Sequence, residues 1–386
     1  MSSPLAVHSA NTLLTTLLAN HAAPDTDTAH YCHTLLDEAN RYSHADQAAH
    51  MSPNLAPYSL LGMQLAALHQ GNLLSAELYP ALKQAEQDTL DWFKHCFAMS
   101  HAHFSHGSSY NNLQALWQAR DVSQSERRTV YASRASHYSV VKACRILGLK
   151  LNAIETDVHD RIDITQLANA CRQEPPLAIV ANAGTTAAGA MDPLSDIAEI
   201  ADHYQCWLHI DAAWGGAVLM LPEKRGVYQA ICSHADSLCF DPHKSLFQPR
   251  PCSLYLSRHA LKPDYQTDYL TSVPISRLSG SYGAELFLPL WLNLKVLGKD
   301  WFFEQTRHRL KQADHFDRWL LHQGHETWNG GTGIICFSAE NAPLESLVAD
   351  GKLSRAMINH HAVYRAVFSG YQTSTDALLR VLHPFL

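Results

Sequence analysis

Four apolar runs of strand length, all between residues 177 and 257, constrain this chain more than any other feature. They are LAIVANA from Leu177 to Ala183, WLHIDA from Trp207 to Ala212, ADSLCFD from Ala235 to Asp241, and SLYLS from Ser253 to Ser257. Between the first two lies LSDIAEIADHY, whose apolar residues recur at three- and four-residue spacing, the helical period. Asp192 is placed to cap that helix and Pro193 to take its first position. Strands alternating with helices predict βαβ units and a mostly parallel sheet, hence an α/β fold.

The flanks read differently. From Leu60 to Phe97 the helical period dominates, interrupted at Gly71-Asn72. Beyond Gly280 it returns in LFLPLWLNLKVLGKDWFFEQTRHRLKQADHFDRWLLHQG, followed by the strand TGIICFS and a final helix–strand–helix. The expected organisation is an N-terminal arm of helices over 1–50, a large domain over 51–278 and a small C-terminal α+β domain over 279–386. A break between two helical segments is expected from His21 to Thr28.

Composition narrows the partners. With 46% hydrophobic and 17% charged residues, the 386-residue chain can bury a large core and is not disordered. A formal charge of -7 without a dense basic block argues against nucleic acid. No apolar run reaches membrane-span length, and the N-terminus lacks the basic segment of a cleaved signal peptide. Nine cysteines without a C-x-x-C pair read as free thiols in a reducing compartment, the cytoplasm by default. The 25 histidines include no H-E-x-x-H and no zinc spacing, so no metal is expected. His101 and His103 are read as lying on different faces of a helix, and His360-His361 likewise.

Chemistry concentrates at the predicted strand ends, where ligands bind in open α/β sheets. Asp211 follows WLHI, Asp241-Pro242-His243-Lys244 follows SLCF, and Gly184-Thr185-Thr186 follows the first strand. His106-Gly107-Ser108-Ser109 precedes the helical segment NNLQALWQAR, and small hydroxyl residues at a helix N-terminus can hold a phosphate. A carboxylate, an amine and a phosphate site together suit a phosphorylated aldehyde.

The segments HIDAAWGGAVLM and HADSLCFDPHKSLFQP are similar to those of the group II pyridoxal-phosphate decarboxylases. That family includes glutamate, aromatic amino-acid, diaminobutyrate and cysteine-sulfinate decarboxylases. The resemblance extends through HMSPNLAPYSLLG, HGSSYNNLQALWQAR, SHYSVVKACRILGL and ANAGTTAAGAMDPL, and weakly to VYRAVFSGYQTSTD, covering about Ala49 to the end. It implies the pyridoxal-phosphate-dependent transferase fold type I. It also implies decarboxylation of an L-amino acid to its amine and CO2, through an external aldimine and a quinonoid.

The roles it implies are specific. Lys244 would carry pyridoxal 5'-phosphate as a Schiff base, and Asp211 would pair with the ring nitrogen. Ala213 would pack on one ring face and His137 on the other, where His137 could also meet the substrate carboxylate. Thr186 would lie near Asp211 and the ring substituents, while Ser108, Ser109 and His243 would contact the phosphate. Arg365 would bind the substrate α-carboxylate. A homodimer with shared active sites is implied as well.

The sequence departs from the family in two places. The interval from Tyr269-Leu270 to Ser279-Gly280-Ser281 is short and lacks the tyrosine that protonates the carbanion in longer members. Tyr282 stands where relatives usually carry Arg, and is a candidate for that protonation. The shortened loop resembles that of short-chain archaeal tyrosine/aspartate decarboxylases. Substrate cues conflict: Trp214 points to acidic or sulfinate substrates, while Phe247-Gln248-Pro249 points to diamino acids. Arg250 is read equally as a side-chain carboxylate partner or as a surface residue. Another pyridoxal-phosphate reaction (transaminase, decarboxylating oxidase-like or lyase) and an idle binding subunit remain alternatives. Intact Lys244, Asp211, His137 and Thr186 argue against the idle subunit.

Overall fold

A computed structural model describes residues 26–41, 44–123, 125–261, 277–339 and 343–386. The four apolar runs form strands and are joined by three more. The strands are β1 (His101–Ser105), β2 (Thr129–Ser133), β3 (Lys150–Ile154), β4 (Ala178–Asn182), β5 (Trp207–Asp211), β6 (Ser237–Phe240) and β7 (Ser253–Ser257). They form a seven-stranded sheet in the order β1-β7-β6-β5-β4-β2-β3. Pairing is parallel from β3 through β6, and antiparallel at β6–β7 and β7–β1. β4, β5 and β6 are buried along their whole length, as both-face coverage by helices requires.

This topology collects the polar strand ends on one rim. Asn182 pairs with Asp211, and Asp211 with Cys239, so β4, β5 and β6 finish side by side. Two antiparallel steps restore the original direction at β1, which therefore delivers the helix Ser108–Val122 to the same rim. At the DAAWGG turn, a Cβ on Gly215 would lie 2.2 Å from the Ala183 carbonyl oxygen. The turn is thus packed directly on the end of β4.

A second, antiparallel sheet follows in the order β10-β11-β9-β8. Its strands are β8 (Thr327–Asn329), β9 (Ile334–Phe337), β10 (Ser354–Ile358) and β11 (His361–Val367). The helices Leu288–His322 and Thr375–Leu382 cover it through Phe316, Leu320, Leu378 and Leu382. The first of these breaks at Gly298, where φ is 79° and ψ 167°. The predicted helical stretch from Leu60 is realised as helices Ser59–His69 and Pro80–Phe97, with Asn72 capping the turn between them.

Several expectations are corrected. His101 and His103 lie on β1, not on a helix, and so share one sheet face; His103 is buried against Tyr255, with ring centroids 5.2 Å apart. The C-terminal segment carries two strands where one is expected, β10 and β11, because residues 359 and 360 turn a hairpin with positive φ. Asp192 does not cap the helix Leu194–Tyr204. Its buried carboxylate accepts from Ile162 N at 2.8 Å, Asn182 N at 2.7 Å and Asn182 Nδ2 at 2.8 Å. Burial outweighs these donors and raises its pKa to about 6. The expected break at His21–Thr28 lies outside the described residues up to 25; a helix runs from Thr26 to Arg41.

Asp192 therefore ties the end of β4 to the loop after β3. Asp192→Ala leaves two main-chain N–H groups unpaired in the interior and should cost about 2–4 kcal/mol. The measurement is the urea unfolding midpoint, which should recover in part with Asp192→Asn; equal midpoints for all three proteins would refute this role.

Candidate active site

The sheet rim opens into a cavity of about 360 Å³. Its wall combines Gly107, Ser108 and Ser109 at the start of a helix, His137 after β2, Thr186 after β4, Asp211 and Ala213 after β5, and Asp241, His243 and Lys244 after β6. Each comes from a turn at a strand's end, as the alternating pattern dictates.

Lys244 reaches Asp241, with Nζ 2.8 Å from Oδ2. The other Asp241 oxygen accepts from Ser108 N at 3.1 Å, Ser108 Oγ at 2.7 Å and Ser253 Oγ at 2.5 Å. Burial alone would raise the pKa of Asp241, but Lys244, His243 and these donors hold it at about 2. Lys244 is the mirror case: burial lowers its pKa, and the charges of Asp241 and Asp211 overcome this and raise it above the ordinary lysine value. The segment DPHK thus contains its own counter-ion. Asp241 stood in the sequence motif, but no role was assigned to it.

Asp211 is held by three donors. Asn112 Nδ2 donates to Oδ2 at 2.8 Å, while Ala213 N at 3.1 Å and the Cys239 thiol at 3.3 Å donate to Oδ1. Burial keeps that thiol protonated, far above its ordinary pKa. Asn112 also donates to Ser139 Oγ at 2.8 Å, and Ser139 Oγ lies 2.7 Å from His137 Nδ1. Asn112, Ser139, His209 and Cys239 were not singled out as site residues. The i, i+4 spacing of Ser108 and Asn112 places both on one helix face, the one signal that could have exposed Asn112.

The predicted site residues separate into groups. Lys244, Asp211, Ala213, His137, Thr186, Ser108, Ser109 and His243 all line the cavity. Two of them are turned to other work. Ser108 gives both its N–H and its hydroxyl proton to Asp241, and His243 Nδ1 lies 2.6 Å from the Cys252 carbonyl with Nε2 3.6 Å from Asp241. Anion binding then falls to Ser109 and the helix terminus.

Arg365 lines a neighbouring cavity of about 380 Å³ that shares Thr186 with the first. Tyr282 lines a separate recess beside Gly71 and Asn72; its ring lies under the Arg277 guanidinium at 4.9 Å, and burial raises its pKa to about 12. The expected proton donor is therefore not brought to the Lys244 cavity. Arg250 does line that cavity, with Nη2 donating to Met51 O and Ser52 Oγ at 3.2 Å. The short loop from Tyr269 lies outside the described residues as far as Ser276.

This donor set fits pyridoxal 5'-phosphate. Lys244 supplies an amine, Asp211 an anionic acceptor, and the helix terminus an anion site. At Gly107, where φ is 145°, a Cβ would meet no atom within 4 Å, so the backbone approach to that terminus is open. Fold and site together define a pyridoxal-phosphate enzyme of fold type I.

The chain belongs to the pyridoxal-dependent decarboxylase family, whose conserved domain matches residues 13–340. It is 30% identical over 311 residues to an aromatic-L-amino-acid decarboxylase of Bacillus atrophaeus, covering 73% of this chain and 65% of that protein. It is 27% identical to a probable L-aspartate decarboxylase of Halobacterium salinarum, covering 78% and 88% respectively. Among solved structures, mouse CSAD superposes with a TM-score of 0.82 at 21% identity, over 96% of this chain and 90% of that one.

Asp241→Asn removes the larger of the two charges that hold Lys244 protonated and leaves burial opposed by Asp211. The pH midpoint for acylation of Lys244 by acetic anhydride in cofactor-free protein, read by peptide mass spectrometry, should then move to lower pH. An unmoved midpoint would contradict the pairing.

Proposed function

We propose that this protein removes the α-carboxyl group of an L-amino acid as CO2 and leaves the corresponding amine. The observation that carries the reading is the Lys244 amine, held on Asp241 in one cavity with the Asp211 carboxylate and a helix N-terminus. Bound there, pyridoxal 5'-phosphate supplies an aldehyde for amines and a ring that accepts an electron pair.

The chain's own groups divide the remaining work. Lys244 offers the amine that anchors the cofactor. Asp211, fixed by three donors, holds a proton at the pyridine nitrogen, and a cationic ring takes up electrons more readily. Ser109 and the N-terminus of Ser108–Val122 bind the phosphate. Ala213, His137 and Thr186 line the same cavity, where Ala213 and His137 would hold the ring between them and Thr186 would contact its substituents. Arg250 on the first cavity and Arg365 on the second are assigned to substrate carboxylates.

We also read the protein as a cytoplasmic homodimer. All nine cysteines are free, which suits a reducing compartment. The helix Ser59–His69 buries Ser59, Gly62 and Ala66 but leaves Leu60, Leu61, Leu65 and Leu68 exposed, and a stripe of that kind suits a subunit interface. Light scattering should give twice the 43.0 kDa chain mass, and Leu61→Glu combined with Leu65→Glu should reduce it to one chain. A wild-type protein of one chain mass would remove the dimer.

For the reaction, protein supplied with pyridoxal 5'-phosphate should show a visible absorption band that borohydride reduces onto Lys244. Lys244→Ala should lose the band and at least ~1,000-fold in CO2 release across a panel of L-amino acids, as for a removed covalent catalyst. A colourless protein indistinguishable from Lys244→Ala would end the enzyme reading; keto acid in place of amine would point to transamination.

A further inference from the structure

Behind Asp211 runs a chain of buried polar side chains that touches neither cavity wall. Trp207 Nε1 donates to Ser237 Oγ at 2.9 Å, and Ser237 Oγ lies 2.8 Å from His209 Nδ1. His209 Nε2 lies 2.9 Å from Asn112 Oδ1, and Asn112 Nδ2 reaches both Asp211 and Ser139. His209 and Ser237 are wholly buried and Asn112 nearly so, hence each group must find its partners within the chain.

The Asp211 carboxylate fixes the bond directions back to Ser237. A carboxylate only accepts, so the Asn112 amide must present Nδ2 to Asp211 and Oδ1 to His209. His209 Nε2 must then carry a hydrogen. Burial lowers the pKa of His209 to about 4, so the ring is neutral and Nδ1 is bare. Ser237 must donate its hydroxyl proton to Nδ1, while its oxygen accepts the Trp207 N–H. At the other end, Ser139 Oγ accepts from Asn112 and keeps its own proton available for His137 Nδ1. The Ser139 main-chain N–H also points to that nitrogen, at 3.3 Å. His137 Nδ1 is thus an acceptor twice over.

We propose that Trp207, Ser237 and His209 are positioning residues that hold the polarity which the Asp211 carboxylate imposes on this chain. They aim the Asn112 amide at Asp211 and restrict neutral His137 to the tautomer with its proton on Nε2. The donor edge of His137 is then coupled through Ser139 and Asn112 to His209 and Ser237, and the Trp207 N–H closes the far end of the chain. The relay belongs to the folded chain itself and stands whether or not the decarboxylase reading holds.

The test uses cofactor-free full-length protein labelled with 15N-histidine. Long-range 1H–15N correlation distinguishes the two neutral tautomers, and His137→Gln and His209→Gln assign the signals. Wild type should show both His137 and His209 as single Nε2–H tautomers. His209→Leu removes the donor to Asn112 Oδ1 and should convert the His137 signals to a tautomer-averaged pattern. His209→Gln, whose amide still donates to Asn112, should restore the single pattern. Should His209→Leu not fold, Ser237→Ala removes the donor to His209 Nδ1 and should disturb the His209 pattern instead. A His137 protonated on Nδ1 in wild type, or an unchanged His137 pattern in folded His209→Leu, would overturn the proposal.

Discussion

The buried charge on Asp241 is the constraint around which the rest of the site is arranged. Only 1% of this residue is exposed, and a carboxylate in that position without partners would cost several kcal/mol. Its donors come from three places in the chain: Ser108 at a helix start, Ser253 on β7 and Lys244 one turn ahead. Satisfying one charge therefore fixes the helix Ser108–Val122 against β7 and fixes Lys244 in the cavity. A pair of this kind adds little net stability over apolar packing, while losing one member leaves an uncompensated charge. What it contributes is placement: the amine is charged, oriented and at the sheet rim before anything binds. The same demand explains why Ser108 faces inward to Asp241.

The second sheet is coupled to this rim through Trp214. Its indole N–H donates to Thr332 Oγ1 at 3.1 Å, and Thr332 Oγ1 donates to the Gly189 carbonyl at 2.7 Å. Beneath the indole lies Arg309, fully buried, with its guanidinium 4.9 Å from the ring and Nη1 donating to Thr332 O at 2.9 Å. Burial lowers the arginine's pKa to about 10, and a desolvated cation–π contact returns about 2 kcal/mol. At Gly330 a Cβ would come within 2.2 Å of the Gly189 carbonyl oxygen, so the two loops touch backbone to backbone. Trp214 follows Ala213 directly. The loop before β9 is thus packed two contacts from Ala213.

The central architecture was legible because β4 to β7 are covered on both faces and write themselves as continuous apolar runs. β1 was not, since HAHFS alternates histidine with small and aromatic residues, and a buried histidine looks like a surface one in sequence. β3, with Lys150 and Asn152 at the sheet edge, carries little apolar signal. That Lys244, Asp211 and His137 meet at one cavity was readable from strand ends and motif resemblance. The placement of Asn112 and His209 was not, because their hydrogen bonds join residues separated by 97 and 99 positions. Asp192 misled for the opposite reason: a sequence ideal for a helix cap was used to bind main-chain N–H groups of another segment. The recess that Tyr282 enters was not legible, because adjacency to Gly-Ser in sequence does not specify where the ring packs.

Arg365 shows why a structural and a functional role need not compete. Its guanidinium donates to the Ala187 carbonyl at 3.0 Å, the Ala49 carbonyl at 3.3 Å and Ser354 Oγ at 3.2 Å. It thereby joins the segment after β4, the stretch before the helix Ser59–His69 and the second sheet. These bonds account for three of its five N–H donors, and neutral carbonyls leave its positive charge unopposed. Burial lowers its pKa, so this charge is held under a desolvation penalty that an anion in the adjoining cavity would relieve. A carboxylate arriving beside Thr186 would then be recognised by an arginine whose orientation had already been fixed by three neighbours. Such preorganisation reduces the side-chain entropy lost on binding, about 0.5–1.5 kcal/mol for a residue of this length.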